Sequence, residues 1–340
     1  MRFTSYLNKK KDRIAIQVIN DFYDLSSSAE LINIELPSRM KRFLKKWEVN
    51  LALAKKVEEA ILNGKIKNEN KIENAKLLSP VPKPTSCRDG YAFRQHVATA
   101  RRNRGVEMIQ EFDQFPVFYF TNHTSVFGEG DVYVEKDHLD KLDFELECSI
   151  VISKKGINIS AKNADDYIAG YMIMNDLSAR TLQMEEMKLN LGPAKGKDFA
   201  TTFGPYLVTV EELENFKIET SHGNKYNLEM KAFHNGKEVS SGNLKDMNWT
   251  FAEIIERASY GVELSPGDII GSGTVGTGCY LELNGTWSLE AKEKGKEFIP
   301  VWLENGDIIE LEIQGLGKLK NRIVKKEKDY SILSKKKANA

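Results

Sequence analysis

The sequence predicts an α+β protein rich in β-strand, with a small N-terminal domain over residues 1–76, a larger β-rich domain over 77–324 and a lysine-rich tail over 325–340. Three observations predict it. Apolar residues recur at helical spacing between Pro37 and Lys67; prolines 80, 82 and 84 then break the chain; and short strand-like runs separated by turn residues fill most of the remaining sequence. At 340 residues a single core is past its comfortable size, so a large domain with a smaller companion is the natural arrangement.

Residues 13–19, RIAIQVI, alternate apolar with polar and predict a strand, followed by a turn-like region at 21–28. From Met40 the residues Phe43, Leu44, Trp47, Leu51, Leu53, Ala54, Val57 and Ile61 step by threes and fours, which is one face of a helix, and Gly64 supplies a stop. The charged, asparagine-rich stretch 65–76 and the prolines after it predict an extended connector, because proline fixes φ and has no amide to donate. Strands are expected at 115–120, 131–134, 144–153, 206–210, 228–234, 268–270 and 308–313. Two stretches read as helices: 163–174, capped by Asn163, and 249–259, capped by Asn248 or Thr250. No repeat at a solenoid period is present, and the lysine-rich end reads as a solvated tail.

Composition excludes several classes of function. Hydrophobic residues make up 41% and charged residues 29%, so the chain should fold. Lys plus Arg number 49 and Asp plus Glu number 49, which leaves no global field to draw the protein onto nucleic acid or an anionic membrane. Cys87, Cys148 and Cys279 are odd in number and widely spaced, so neither disulfides nor a zinc finger is expected. No apolar run reaches the ~18 residues of a membrane helix, and the N-terminus has no signal-peptide pattern; a cytoplasmic protein is expected.

The residues that carry chemistry are acidic. In the run 143–150 the acids Asp143, Glu145 and Glu147 alternate with Phe144, Leu146 and Cys148, so Glu145 and Glu147 project from one face of a strand. Alone, such a pair is an ordinary solvated face. The sharper reading is that both converge on a hard divalent cation, which prefers oxygen ligands and cancels their repulsion. Asp176, Arg180 and Gln183 stand at i, i+4 and i+7 and would share a helical face; Asp89, before Gly90, reads by itself as a turn residue. Two glycine-punctuated loops, 191–202 and 271–278, let backbone approach a ligand, but neither has the spacing of a nucleotide loop.

Taken together and in order, these segments resemble the fumarylacetoacetate hydrolase family over residues 77–324. The residues that carry the resemblance are Asp89-Gly90-Tyr91 with Arg94-Gln95-His96, Phe115 to Tyr119, Phe144-Glu145-Leu146-Glu147, Asn175-Asp176 with Arg180, Gly196-Lys197-Asp198-Phe199, and Gly271-Ser272-Gly273-Thr274 with Tyr280-Leu281-Glu282-Leu283. The resemblance implies a mixed β-sandwich or β-roll catalytic domain behind a small N-terminal domain. It also implies that Asp89, Glu145, Glu147 and Asp176 hold Mg²⁺, Ca²⁺ or Mn²⁺, with Lys197 and Thr201 beside the metal at a second, more structural site. His96 matches the histidine that activates water and Glu282 the acid that orients it. Arg180, Gln183 and Lys197 match groups that receive developing negative charge, and Tyr91, Tyr119 and Thr274 match substrate-pocket positions. A homodimer is implied as well. The chain departs from the family's tyrosine-degrading hydrolase at Met187, where that enzyme has a tyrosine, and at Thr121-Asn122-His123. The likeness therefore does not carry that enzyme's substrate with it.

The expected activity is hydrolysis of a C–C bond in a small 1,3-dicarbonyl or acylpyruvate-type acid. A carbanion leaving group needs its charge spread onto oxygens, which a divalent cation with Arg180 and Lys197 would stabilise. A histidine oriented by an acid is suited to take a proton from water near neutrality. Cys148 and Cys279 read as packing residues rather than nucleophiles. Decarboxylation, hydration or isomerisation of a 2-oxo acid is the rival on the same scaffold, and a non-catalytic binding protein the rival outside it.

Overall fold

The chain's most apolar segments are buried on both sides, and this organises the molecule. A computed structural model describes residues 1–337, in which two sheets pack face to face. The larger runs in the order Asp21–Asp24, Lys11–Val18, Arg2–Asn8, Thr201–Thr209, Ile168–Asp176, Leu146–Ile152, Ile269–Gly271, Cys87–Gly90 and Phe118–Phe120. Neighbours along this run are antiparallel except Ile269–Gly271 beside Cys87–Gly90, which are parallel, and off the run Val126–Phe127 also pairs parallel with Thr201–Thr209. The smaller sheet runs Lys237–Asn243, Glu229–His234, Ile308–Ile313, Gly317–Lys325 and Gly130–Val134.

Side-chain alternation assigns each face of the large sheet to a different core. Leu146, Cys148, Ile150, Tyr171 and Ile173 point into the space between the two sheets, where they meet Met230, Leu311 and Ile323. Val151, Met172 and Met174 point the other way and are covered by the N-terminal segment. There the helix Trp47–Leu62 lies over the sheet, with Phe3, Phe43 and Trp47 in edge-on and tilted contacts at 5.3–5.8 Å. Residues 1–76 thus contribute strands to the same sheet as the larger domain, through pairing of Phe3 with Leu207.

This double burial overturns one expected element. Residues 163–174 are not a helix: a short turn of helix at Ala161–Ala164 leads through Asp165–Tyr167 into the strand Ile168–Asp176, every residue of which is buried. A strand covered on both faces loses its apolar–polar alternation and cannot be told from a buried helix by pattern. Asp176, Arg180 and Gln183 accordingly do not share one helix, since Asp176 ends the strand and the helix begins at Arg180. The expected strand at 115–120 is confined to Phe118–Phe120, and that at 206–210 extends to Thr201–Thr209. The turn-like 21–28 region holds a strand and a helix, Leu25–Glu30, capped by Asp24, whose carboxylate also accepts from Arg13 and Tyr6. The long helical run divides into Met40–Leu44 and Trp47–Leu62.

The expected strand at 144–153 is Leu146–Ile152, so Glu147 lies in it and Glu145 stands just before it, while the strands expected at 131–134, 228–234, 268–270 and 308–313 are found within a residue of those bounds. Lys11–Val18 is a strand, and Thr250 caps the helix Phe251–Ser259 with Glu253 completing a reciprocal pair of bonds. The tail is mostly exposed, yet Asp137 accepts backbone bonds from Ile332 (2.7 Å) and Leu333 (3.0 Å); residues 338–340 lie outside the described residues. Cys87, Cys148 and Cys279 are free and buried. No helix among the described residues is long and apolar enough to cross a membrane.

Candidate active site

Six neighbouring strands of the large sheet deliver their ends to one place. Asp176 stands opposite Thr201, Glu147 opposite Met174, Ser149 opposite Gly271, Gly271 opposite Asp89, and Asp89 opposite Tyr119. Sequence-distant acids are therefore brought together by register. Carboxylate oxygens of Asp89, Glu145, Glu147 and Asp176 all lie within 4.8 Å of one another, and all four residues are buried. Gly271 makes the approach possible: a Cβ there would sit 2.4 Å from Asp89 Oδ1 and 3.1 Å from Glu147 Oε2.

Two cations balance part of this charge. Lys197 donates to Glu145 Oε2 (2.5 Å) and Asp176 Oδ2 (2.8 Å), while Arg180 Nη2 donates to Glu145 Oε1 (2.7 Å). Gln183 accepts from Arg180 Nη1 at 2.9 Å, Tyr119 donates its hydroxyl to Asp176, and Thr201 Oγ1 lies 3.4 Å from Asp176 Oδ1. Burial would neutralise Lys197, but Asp176 and Glu145 raise its pKa, so its ammonium serves as a counter-charge. An ammonium has no lone pair to give a metal.

The four acids divide by their neighbours. Burial would raise Glu145, but Lys197 and Arg180 override it and hold the carboxyl down to about 2. Asp89, without such partners, is pushed up to about 8 by burial and by the charge of Asp176. Glu147 is raised well above the carboxylate range by burial and by Asp89, and its Oε2 has no hydrogen-bond partner. A buried carboxylate oxygen with no donor, inside a set of oxygen ligands, fits a hard divalent cation. The donor set suits Mg²⁺, Ca²⁺ or Mn²⁺ better than a soft metal.

Beside the carboxylates stands a second pair. His96, on the helix Arg94–Arg102, places Nδ1 2.6 Å from Glu282 Oε2, on the helix Tyr280–Glu293. Both are buried, and Glu282 Oε1 has no partner. Cys279 lies close by, but two ligands of one tetrahedral ion at ~2.0 Å would be about 3.3 Å apart, so the 2.6 Å contact is a shared proton rather than a metal pair. Burial also pushes the Cys279 thiol well up, which keeps it protonated and unreactive.

A cavity of about 720 Å³ opens over the cluster and is lined by Asp89, Tyr91, His96, Tyr119, Glu145, Arg180, Gln183, Lys197 and Thr274. Tyr91 meets the His96 ring edge-on at 5.8 Å, and Thr274 Oγ1 lies 3.4 Å from Glu147 Oε1. Every residue given a catalytic, substrate or metal role from the sequence thus stands at or against this one site, while Thr121, Asn122 and His123 line a separate cavity beside Tyr119 and Lys197.

One further residue belongs to the site without having been assigned a role from the sequence. Asp143, fully buried, accepts from Arg180 Nε (2.8 Å), Phe144 N (2.9 Å), Tyr280 N (2.7 Å) and Leu281 N (2.9 Å). It anchors Arg180 and the start of the helix that carries Glu282, where a carboxylate is favoured by the free amides. Its signal is present as the first acid of the alternating run 143–147.

Comparison with known proteins finds related sequences and structures. Residues 85–324 match the model of the fumarylacetoacetate (FAA) hydrolase C-terminal family. Oxaloacetate tautomerase YisK of Bacillus subtilis (strain 168) is 32% identical over 262 residues, 74% of this chain and 74% of that protein. The mitochondrial oxaloacetate tautomerase FAHD2A of Homo sapiens is 28% identical over 292 residues, covering 85% and 81%. Among solved structures, maleylpyruvate hydrolase from Sphingobium sp. SYK-6 in complex with manganese(II) ion and pyruvate shares the fold with a TM-score of 0.67 and 20% identity, covering 96% of this chain and 100% of that one.

Proposed function

The chain belongs to the fumarylacetoacetate hydrolase family, and on that premise we propose that it is a metal-dependent hydrolase cleaving the C–C bond of a small 1,3-dicarbonyl acid of the acylpyruvate type. The observation that carries the reading is the buried His96–Glu282 pair, 2.6 Å apart, at the wall of the cavity that holds the carboxylate cluster. A histidine oriented by a carboxylate is suited to take a proton from water near neutrality. Asp89, Glu145, Glu147 and Asp176 would hold a divalent cation, which when bound would supply Lewis-acid charge to substrate oxygens; the manganese(II) ion in the maleylpyruvate hydrolase complex supports that choice of ion class.

The residues do the rest. Glu282 accepts the Nδ1 proton of His96 and so leaves Nε2 as the base. His96 takes a proton from water, and the oxygen adds to the C4 carbonyl of the 1,3-dicarbonyl. Collapse breaks the C3–C4 bond, and its electron pair passes onto the 2-oxo oxygen, where Arg180 and Lys197 offset the charge. The proton held by His96 returns to C3, giving a 2-oxo acid and a carboxylate. The protein would act as a homodimer on this substrate, with no role for nucleic acid or membrane.

The names of the relatives favour a second reading, keto–enol tautomerisation of oxaloacetate, which needs the enolate but no water. His96→Ala separates the two. Under the hydrolase reading it lowers cleavage of 2,4-dioxopentanoate by at least 10²-fold in the presence of Mg²⁺ or Mn²⁺, with Mn²⁺ affinity near that of the wild type. Wild-type protein that speeds oxaloacetate enol–keto exchange while leaving every 2,4-dioxo acid intact would instead establish the tautomerase.

A further inference from the structure

The cavity over the carboxylate cluster is far larger than a dicarbonyl head requires, and it changes character along its length. On the helix Arg180–Met187 the lining residues are Arg180, Gln183, Met184 and Met187, spaced i, i+3, i+4 and i+7 on one face. Arg180 is tied to Glu145 at one end; Met187 lies about 10 Å further along the axis, at 1.5 Å per residue. Lining therefore passes from guanidinium to amide to two thioethers. Phe298, Pro300 and Trp302, from the segment C-terminal to the helix Tyr280–Glu293, line the same cavity.

The Asn284 amide at this outer end is already engaged, and Ser288, one turn further along the same helix, adds a single exposed hydroxyl. Asn284 donates to Val301 O (2.8 Å) and accepts from Val301 N (2.9 Å), which fixes the segment carrying Phe298 and Trp302. Arg104, the remaining cation of the wall, donates through Nε to Ala100 O at 3.1 Å, which holds it against the helix that carries His96. Met184 and Met187 are 39% and 43% exposed, apolar surface that a ligand entering the cavity would cover.

We propose that the outer half of the cavity is a subsite for an apolar arm, an aryl or alkyl group of about six carbons, attached beyond C4 of the dicarbonyl head. The placement of the head rests on the hydrolase reading of the site. Flexible, polarisable methionines in a lining that also holds Phe298 and Trp302 suit a ring, whereas a second carboxylate beside Met184 and Met187 would be desolvated with no cation on that stretch of the helix to pair it. Short dicarboxylates such as oxaloacetate gain nothing from this end.

The test uses the full chain with Mn²⁺ and reads both turnover and binding. For turnover, kcat/KM for 4-phenyl-2,4-dioxobutanoate is compared with that for 2,4-dioxopentanoate and oxaloacetate. For binding, calorimetry compares 2-oxo-4-phenylbutanoate, which has no 1,3-dicarbonyl to cleave, with 2-oxobutanoate. An advantage of about ten-fold or more for the phenyl compounds is expected in both. Met187→Glu should reduce the phenyl-to-methyl ratio at least five-fold, and Met187→Leu should preserve it. Tighter binding of the phenyl acid without cleavage of any dioxo acid upholds the subsite and overturns the hydrolase. Cleavage with no preference for the phenyl arm, or a preference for oxaloacetate, overturns the subsite and leaves the reaction class untouched.

Discussion

Gly271 is the residue on which the gathering of the acids turns most sharply. It sits between the strands that carry Glu147 and Asp89, and a methyl group there would overlap Asp89 Oδ1 at 2.4 Å and Met174 Sδ at 2.7 Å. Gly271→Ala should leave far-UV circular dichroism unchanged, cost about 1–3 kcal/mol of stability and weaken Mn²⁺ binding at least ten-fold by calorimetric titration. Unchanged affinity would mean that the Asp89 and Glu147 carboxylates do not share a ligand. The acids Glu145 and Glu147 are legible in the sequence as an alternating pair, although only Glu147 lies within the strand Leu146–Ile152. Asp143 is not, although it begins the same run, because its four hydrogen-bond donors come partly from residues 180, 280 and 281. Such a role exists only after long-range folding.

At the scale of elements, the sequence pattern is legible wherever one face of an element is wet. Ile308–Ile313 alternates buried and partly buried residues, and Phe251–Ser259 begins at a cap with a reciprocal partner. Ile168–Asp176 misleads because both faces are covered, and Cys87–Gly90 because four residues with two charges do not look like a central strand. The short helix Lys136–Leu139 offers a pH test. Its His138 stacks on Phe199 at 4.1 Å, and its Nδ1 accepts from Glu135 N at 3.2 Å, a bond that only the unprotonated nitrogen can make. Burial lowers the His138 pKa from 6.5 to about 4. Between these values the unfolded chain binds the proton and the folded chain does not, so stability is full above pH 6.5, declines as the pH falls and levels off below 4. After discounting for partial exposure, the loss from this group is about 2 kcal/mol. Urea unfolding from pH 7 to pH 4 should register it, and His138→Gln should remove that share of the slope; an identical slope in the variant would assign the acid sensitivity to other groups.

Across the whole molecule, the large sheet is the frame to which both halves of the chain contribute. Strands from residues 2–24 extend it at one edge, the second sheet covers one face and the N-terminal helices the other, and the carboxylate cluster forms where the central strands end. Dividing the chain at the prolines captures the change in local pattern, but strand pairing between Phe3 and Leu207 spans two hundred residues and leaves no local mark. This burial also makes the cluster costly: four acids in one dry place repel one another, and two cations offset only part of the charge. Removing one acid should then have opposite effects with and without metal. The most direct measurement is thermal unfolding of wild type and Glu147→Gln with EDTA and with saturating Mn²⁺, alongside a Mn²⁺ titration. The expected result is one tight site in the wild type, affinity at least 10²-fold weaker in the variant, and a Tm for the variant in EDTA equal to or above that of the wild type. Equal Mn²⁺ affinity in the two proteins, or a variant destabilised in EDTA as much as in manganese, would contradict four acids gathered for one ion.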